Sequence, residues 1–146
     1  MGVTRATLAL TAALTLALGV TWAARIAAAS QRTTRDRVYS KDQAARGGKQ
    51  YAQICGRCHD PGRPVVPGKK AGPILMGDPF LDEWRDRTLG ELSSAIITTM
   101  PSDGSAVLST DETEDLVAYL LQVNGFPEGS SALKIDAATR AIVIAK

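Results

Sequence analysis

The sequence predicts an all-α fold, and two observations carry that prediction. Ser40-Lys41-Asp42-Gln43, Thr88-Leu89-Gly90-Glu91 and Ser109-Thr110-Asp111-Glu112 each place a hydroxyl residue three positions ahead of Gln or Glu. In such a capping box the hydroxyl accepts from a first-turn backbone N–H while the longer side chain reaches back, so a helix start has its open donors satisfied. Proline and glycine then punctuate the chain where helices should stop: Asp60 to Gly72 holds three of each, Pro101 follows Met100, and Gly125 and Pro127 follow Asn124. Proline disfavours helix at the residue before it, and a glycine just past the last turn closes a helix in the left-handed conformation.

At 146 residues the chain has room for one domain. Residues 1–29 read as a secretory signal peptide: Arg5 is a thin basic start, Ala6 to Ala24 carries no charge, and Ala27 and Ala29 form a small-residue cleavage site. An uncleaved membrane anchor is the competing reading, because 19 uncharged residues nearly reach spanning length. Residues 30–39 are polar and are expected to be a flexible lead-in. The domain proper is expected over residues 40–146. Its first helix should run from Lys41 to about Cys55, with Ala44, Tyr51, Ile54 and Cys55 on one face. Gly47 and Gly48 cost that helix roughly 1 kcal/mol each against Ala, which predicts close approach of another backbone. The second helix carries Leu89, Leu92, Ile96 and Ile97 to about Thr99, and the third carries Leu116, Tyr119 and Leu120 from Thr110 to Asn124. Beyond Ser131 the alternation of Ile142 and Ile144 suggests an extended tail.

The only two cysteines, Cys55 and Cys58, are followed at once by the only histidine, His59. This C-x-x-C-H arrangement is the attachment motif for haem c. Two thiols on one helical turn can form thioethers with the two vinyl groups at one porphyrin edge, and the next residue can turn its imidazole under the ring toward iron. A redox C-x-x-C needs a βαβ context that the flanking helical pattern does not supply. A structural zinc site needs four ligands, and a disulfide across two residues would be strained. A haem also answers a deficit, since aromatics make up only 5% of the chain and a domain this small buries a modest core by itself.

A haem used for electron transfer commonly has a second strong axial ligand, and Met rather than His raises the reduction potential. With no second histidine, Met76 and Met100 are the candidates, and either could equally be a gap-filling core residue. Met100 lies at a helix-to-loop break 41 residues beyond His59, enough chain to pass round the ring edge. Met76 lies 17 residues beyond it, on a segment that should flank the histidine side, and an open iron position is the third possibility.

These residues make the chain similar to class I c-type cytochromes, especially single-haem domains that accompany periplasmic dehydrogenases and sulfur-oxidising enzymes in proteobacteria. The resemblance covers about Val38 to Ile144 and implies three main helices around one covalently attached haem. It implies that Gly47 and Tyr51 on the first helix cross Leu116 and Tyr119 on the last. It also implies that the carbonyl of Pro73 accepts the second N–H of His59, that Leu75 touches the haem face, and that Trp84 lies near the propionates. Met100-Pro101 resembles the family's axial methionine-proline pair. The expected pocket is bordered by Cys55, Cys58, His59, Pro73, Leu75, Ile96 and Met100, with His59 and Met100 facing each other as iron ligands.

Residues 30 to 70 hold ten basic and three acidic side chains, whereas residues 71 to 146 hold five basic and twelve acidic. The asymmetry is either a set of solvated faces or a basic zone that steers an acidic redox partner. Nucleic acid is a poor partner for an exported chain. The expected function is single-electron transfer between a donor and an acceptor in the bacterial periplasm, with membrane association only if the leader stays attached. The competing function is a haem enzyme or gas sensor with an open iron position.

Overall fold

All three boxes open helices in the computed structural model, which describes residues 31–60, 62, 67–68 and 70–145. The expected signal peptide lies outside the described residues. Helix α1 spans Lys41–Gln53, α2 Gly56–His59, α3 Asp78–Trp84, α4 Leu89–Thr99 and α5 Thr110–Val123. At α4 and α5 the box is complete: Glu91 accepts from the Thr88 N–H at 2.8 Å and Glu112 from the Ser109 N–H at 2.8 Å. Those bonds hold both carboxyls below the usual range. At α1 only half of the box forms, with Ser40 accepting from the Gln43 N–H. The Gln43 side chain is used elsewhere: buried, it donates to the Leu133 carbonyl at 2.9 Å and accepts from the Leu133 N–H at 2.7 Å.

Helix α3 was not apparent from capping signals. It starts from Gly77, whose φ of 69° suits a residue without Cβ, and carries proline in its first turn. Phe80, Leu81 and Trp84, spaced as one helical face, are buried.

The main packing in the fold is α1 across α5. Gly47 makes the crossing possible, because a Cβ there would lie 1.9 Å from the Asp115 carbonyl oxygen and 2.9 Å from the Tyr119 Cβ. Gly48 sits beside the Tyr119 ring instead, so the doubled glycine divides into a backbone contact and a ring contact. The Tyr51 and Tyr119 rings meet with centroids 5.0 Å apart, and Arg46 clamps Asp115 through two bonds of 2.8 Å. Gly47→Ala is expected to destabilise the protein by at least about 3 kcal/mol, the upper end for overpacking, because the obstacle is backbone that no rotamer change can move. A urea midpoint within experimental error of the unmodified protein would contradict this contact.

The segment ahead of α1 departs from the expected flexible lead-in over residues 30–39. Thr33 and Asp36 cap a 3-10 turn, Thr34–Asp36, and Thr34 is 0% exposed with Val38 and Tyr39 also buried. The reason lies in the tail. Thr34 N–H donates to the Val143 carbonyl, Val143 N–H donates to Arg32, and the Thr34 hydroxyl accepts from Ala145. The expected extended tail is interrupted by turns over residues 137–141, and it is the stretch beyond them whose other edge pairs with the start of α4, where Leu89 N–H donates to Ile142 and Ile144 N–H donates to Arg87. Leu133, Ile142 and Ile144 are fully buried. Polar composition hid this segment because its partners are backbone groups close to the other end of the chain, Phe126 and Gly129 for Tyr39 and Val143 and Ala145 for Thr34. Residues from Arg32 onward thus form one compact unit. Apart from isolated bridges there is no β-structure among the described residues, and no helix among them is long and apolar enough to cross a membrane.

Candidate haem site

Helix α1 ends at Gln53, and the chain makes one further helical turn that presents the C-x-x-C-H residues. Cys55 N–H donates to Tyr51 at 2.9 Å, and the Cys58 and His59 N–H groups both donate to Cys55 at 3.0 and 2.9 Å. The two thiols, not joined to each other, border a cavity of about 340 Å³. A cavity of that size is in the range for small-molecule and cofactor sites. Tyr51, Ile54, Arg57 and His59 continue the wall beside the cysteines, and Leu75 enters from the following loop. Ile96 and Met100 come from the end of α4, Pro101, Ser102, Asp103 and Leu108 from the loop beyond it, and Leu116 and Leu120 from α5.

Burial pushes the Cys55 thiol up to about 11, with Cys58 adding to the effect. A thiol so shifted stays protonated at neutral pH, the reverse of the lowered value that makes a C-x-x-C pair a redox nucleophile. Burial likewise pushes Tyr51 up to about 12, and its hydroxyl donates to the His59 carbonyl at 3.3 Å.

The His59 ring is held on two sides. Its Nδ1 lies 2.7 Å from the Pro73 carbonyl oxygen. A carbonyl can only accept, so Nδ1 carries the proton in this contact, which leaves Nε2 as the ring atom that can turn to a metal. Gly72 packs against the ring so closely that a Cβ there would be 2.5 Å from His59 Cε1 and 2.6 Å from Nδ1. The Gly72 N–H donates to Cys58 at 2.9 Å, so the glycine is tied to the attachment turn itself.

Met100 is the residue that stops α4, with extended backbone at φ −119° and ψ 145°. It borders the cavity at 37% exposure, whereas Met76 packs half-buried against the hydrophobic core and does not line it. Cys55, Cys58, His59, Leu75, Ile96 and Met100 thus share one cavity. Pro73 acts through its carbonyl and is not part of the wall. Trp84 departs from expectation. It is buried in the core on the same face of α3 as Phe80 and Leu81, with the Arg87 guanidinium 4.3 Å from its ring centroid, and does not line the cavity.

Two features were hidden in the sequence. Arg57, between the cysteines, donates to Ser105 at 3.1 Å and pairs with Asp103 at 3.8 Å, linking the attachment turn to the loop after Met100. Asn124 has the sequence signature of a helix end, yet its amide binds the Leu75 and Gly77 backbone. Nothing in the local spacing signals either contact.

The residues fit a haem by the chemistry of the donor set: two unpaired thiols on one turn, an imidazole with its Nε2 lone pair available, a thioether on the same cavity and apolar walls between them. The family model described as cytochrome c oxidase, cbb3-type, subunit III matches residues 42–120, from the first turn of α1 into α5. No curated protein and no solved structure matches the chain. Because the matched region is more than half of the chain and contains both the α1–α5 crossing and the attachment turn, the chain belongs to this family of c-type cytochrome domains, which bind covalently attached haem c with its iron.

Proposed function

We propose that this chain is a class I c-type cytochrome of the proteobacterial periplasmic type, carrying single electrons with His59 and Met100 as the two axial ligands of its haem. One observation carries the reading: the His59 ring, oriented by Pro73 so that Nε2 is free, shares a single cavity with the Met100 thioether. In this reading Cys55 and Cys58 hold the haem covalently, and Leu75, Ile96, Leu116 and Leu120 exclude water from its faces. The bound haem supplies reversible one-electron exchange, and the chain sets its potential and its access. With both axial positions taken, no position remains for a substrate, which distinguishes a carrier or an oxidase's cytochrome subunit from a haem enzyme or gas sensor.

Charge supports a particular kind of partner. Some of the basic excess of residues 30 to 70 is used inside the fold, in Arg46–Asp115 and Arg57–Asp103. Lys70 borders the cavity, where it would favour an acidic donor or acceptor by long-range attraction. The expected signal peptide places that exchange in the periplasm, with the membrane as the setting if the leader is retained.

The visible spectrum of the oxidised holoprotein tests the ligand set. It should be low-spin with the far-red sulfur-to-iron band of methionine ligation, and the reduced protein should bind carbon monoxide poorly. A high-spin spectrum without that band, together with ready carbon monoxide binding, would favour the open-site enzyme or sensor.

A further inference from the structure

We propose that Asn124 is a positioning residue for the His59 imidazole, acting through the segment Gly72–Gly77; the inference rests on His59 being an iron ligand. This segment is anchored at two places. At its start Gly72 is bonded to Cys58 and packed on the His59 ring, and the next residue supplies the carbonyl that holds Nδ1. At its end the Leu75 carbonyl accepts from Asn124 Nδ2 at 3.0 Å, and the Gly77 N–H donates to Asn124 Oδ1 at 2.8 Å. Between the anchors, Pro73 and Ile74 are exposed, so packing alone does not hold the carbonyl in place.

Asn124 is itself fixed. It is 5% exposed at the end of α5, and its Nδ2 also donates to the Leu120 carbonyl at 2.8 Å. Both amide hydrogens and the amide oxygen are therefore engaged, a pattern that only a side chain with two donors and an acceptor can make. The contact joins α5, which crosses α1 and lines the cavity, to the backbone that orients His59. A carbonyl held against Nδ1–H raises the basicity of a metal-bound imidazole. Freeing the far anchor lets Pro73 drift from Nδ1, which exposes that proton to solvent and weakens the donor.

The test compares Asn124→Ala and Asn124→Asp with Gln43→Ala in the haem-loaded protein. Aspartate keeps the size and the acceptor for Gly77 but loses the amide donors, so it serves even if the alanine variant folds poorly. Gln43 is a control because it is another buried amide with two backbone bonds, made to the tail and not to this segment. Proton NMR of the oxidised protein reads the exchange of the His59 Nδ1–H, and redox titration reads the potential. In both Asn124 variants exchange should be about tenfold faster, the opening factor expected from losing bonds of this net strength, and the potential should rise. Gln43→Ala should lower stability while leaving both readouts at the unmodified values. Unchanged exchange in the Asn124 variants, or equal acceleration in Gln43→Ala, overturns the positioning role. Absence of a hyperfine-shifted His59 signal in the unmodified protein would instead show that His59 is not the ligand, and the inference would go with that reading.

Discussion

Replacing Met100 by Ala is expected to remove the far-red band from the oxidised spectrum, lower the reduction potential, and convert a protein that excludes carbon monoxide into one that binds it stoichiometrically. The expectation follows from position. Met100 stops α4 at the cavity wall, and among the described residues its thioether is the only sulfur lining that wall apart from the two cysteines. Thioether ligation opposite histidine favours the reduced state, so its loss moves the potential down. The variant should still attach haem, because attachment uses Cys55, Cys58 and His59. The matched control is Met76→Leu, a volume-conserving change at a half-buried core position away from the cavity. It should cost under ~1.5 kcal/mol and leave the spectrum unchanged. If the band survives in Met100→Ala and disappears in Met76→Leu, the ligand assignment is reversed.

The second large effect concerns attachment. Cys55→Ala combined with Cys58→Ala should give a chain that retains no haem after denaturing electrophoresis and shows little helical circular dichroism before it. Magnitude decides the second half of that statement. An unfilled cavity costs about 24 cal/mol per Å³, so leaving 340 Å³ empty costs on the order of 8 kcal/mol. Water entering from the open side makes that figure an upper bound, to be set against the 5–15 kcal/mol that holds an ordinary domain together. Leu116 and Leu120 belong both to the buried core and to the cavity wall, so the loss falls on the core itself. A cysteine-free chain that kept haem through denaturation would overturn the attachment reading, and one that kept full helicity without haem would show that the core does not depend on it.

The three helices that carry the core were legible because their start signals are local. A hydroxyl and a Glu three residues apart make the same cap wherever they occur, and α4 and α5 begin where Thr88 and Ser109 say they should. Helix α3 has no such side-chain cap, and Phe80, Leu81 and Trp84 needed their spacing read without one. At Ser40 the local rule was half overridden, since Gln43 meets the Leu133 backbone 90 residues away and satisfies two buried groups there.

By itself the sequence determined the attachment chemistry, because Cys55, Cys58 and His59 lie within a single turn and no distant contact is needed to bring them together. It also left Met76, Met100 or an open position as the choices for the second axial site, and put Met100 at a helix stop. Only the tertiary structure decided which methionine lines the cavity, which glycine admits the crossing backbone, and where Trp84 goes. Only it showed that residues 32–39 are packed against the tail, and that Asn124 holds the segment bearing the Pro73 carbonyl. The physical reason is the range of the interactions. A cap or an attachment turn is complete within four residues, whereas a cavity wall or a buried amide's partners are set by chain segments that meet only when the core closes.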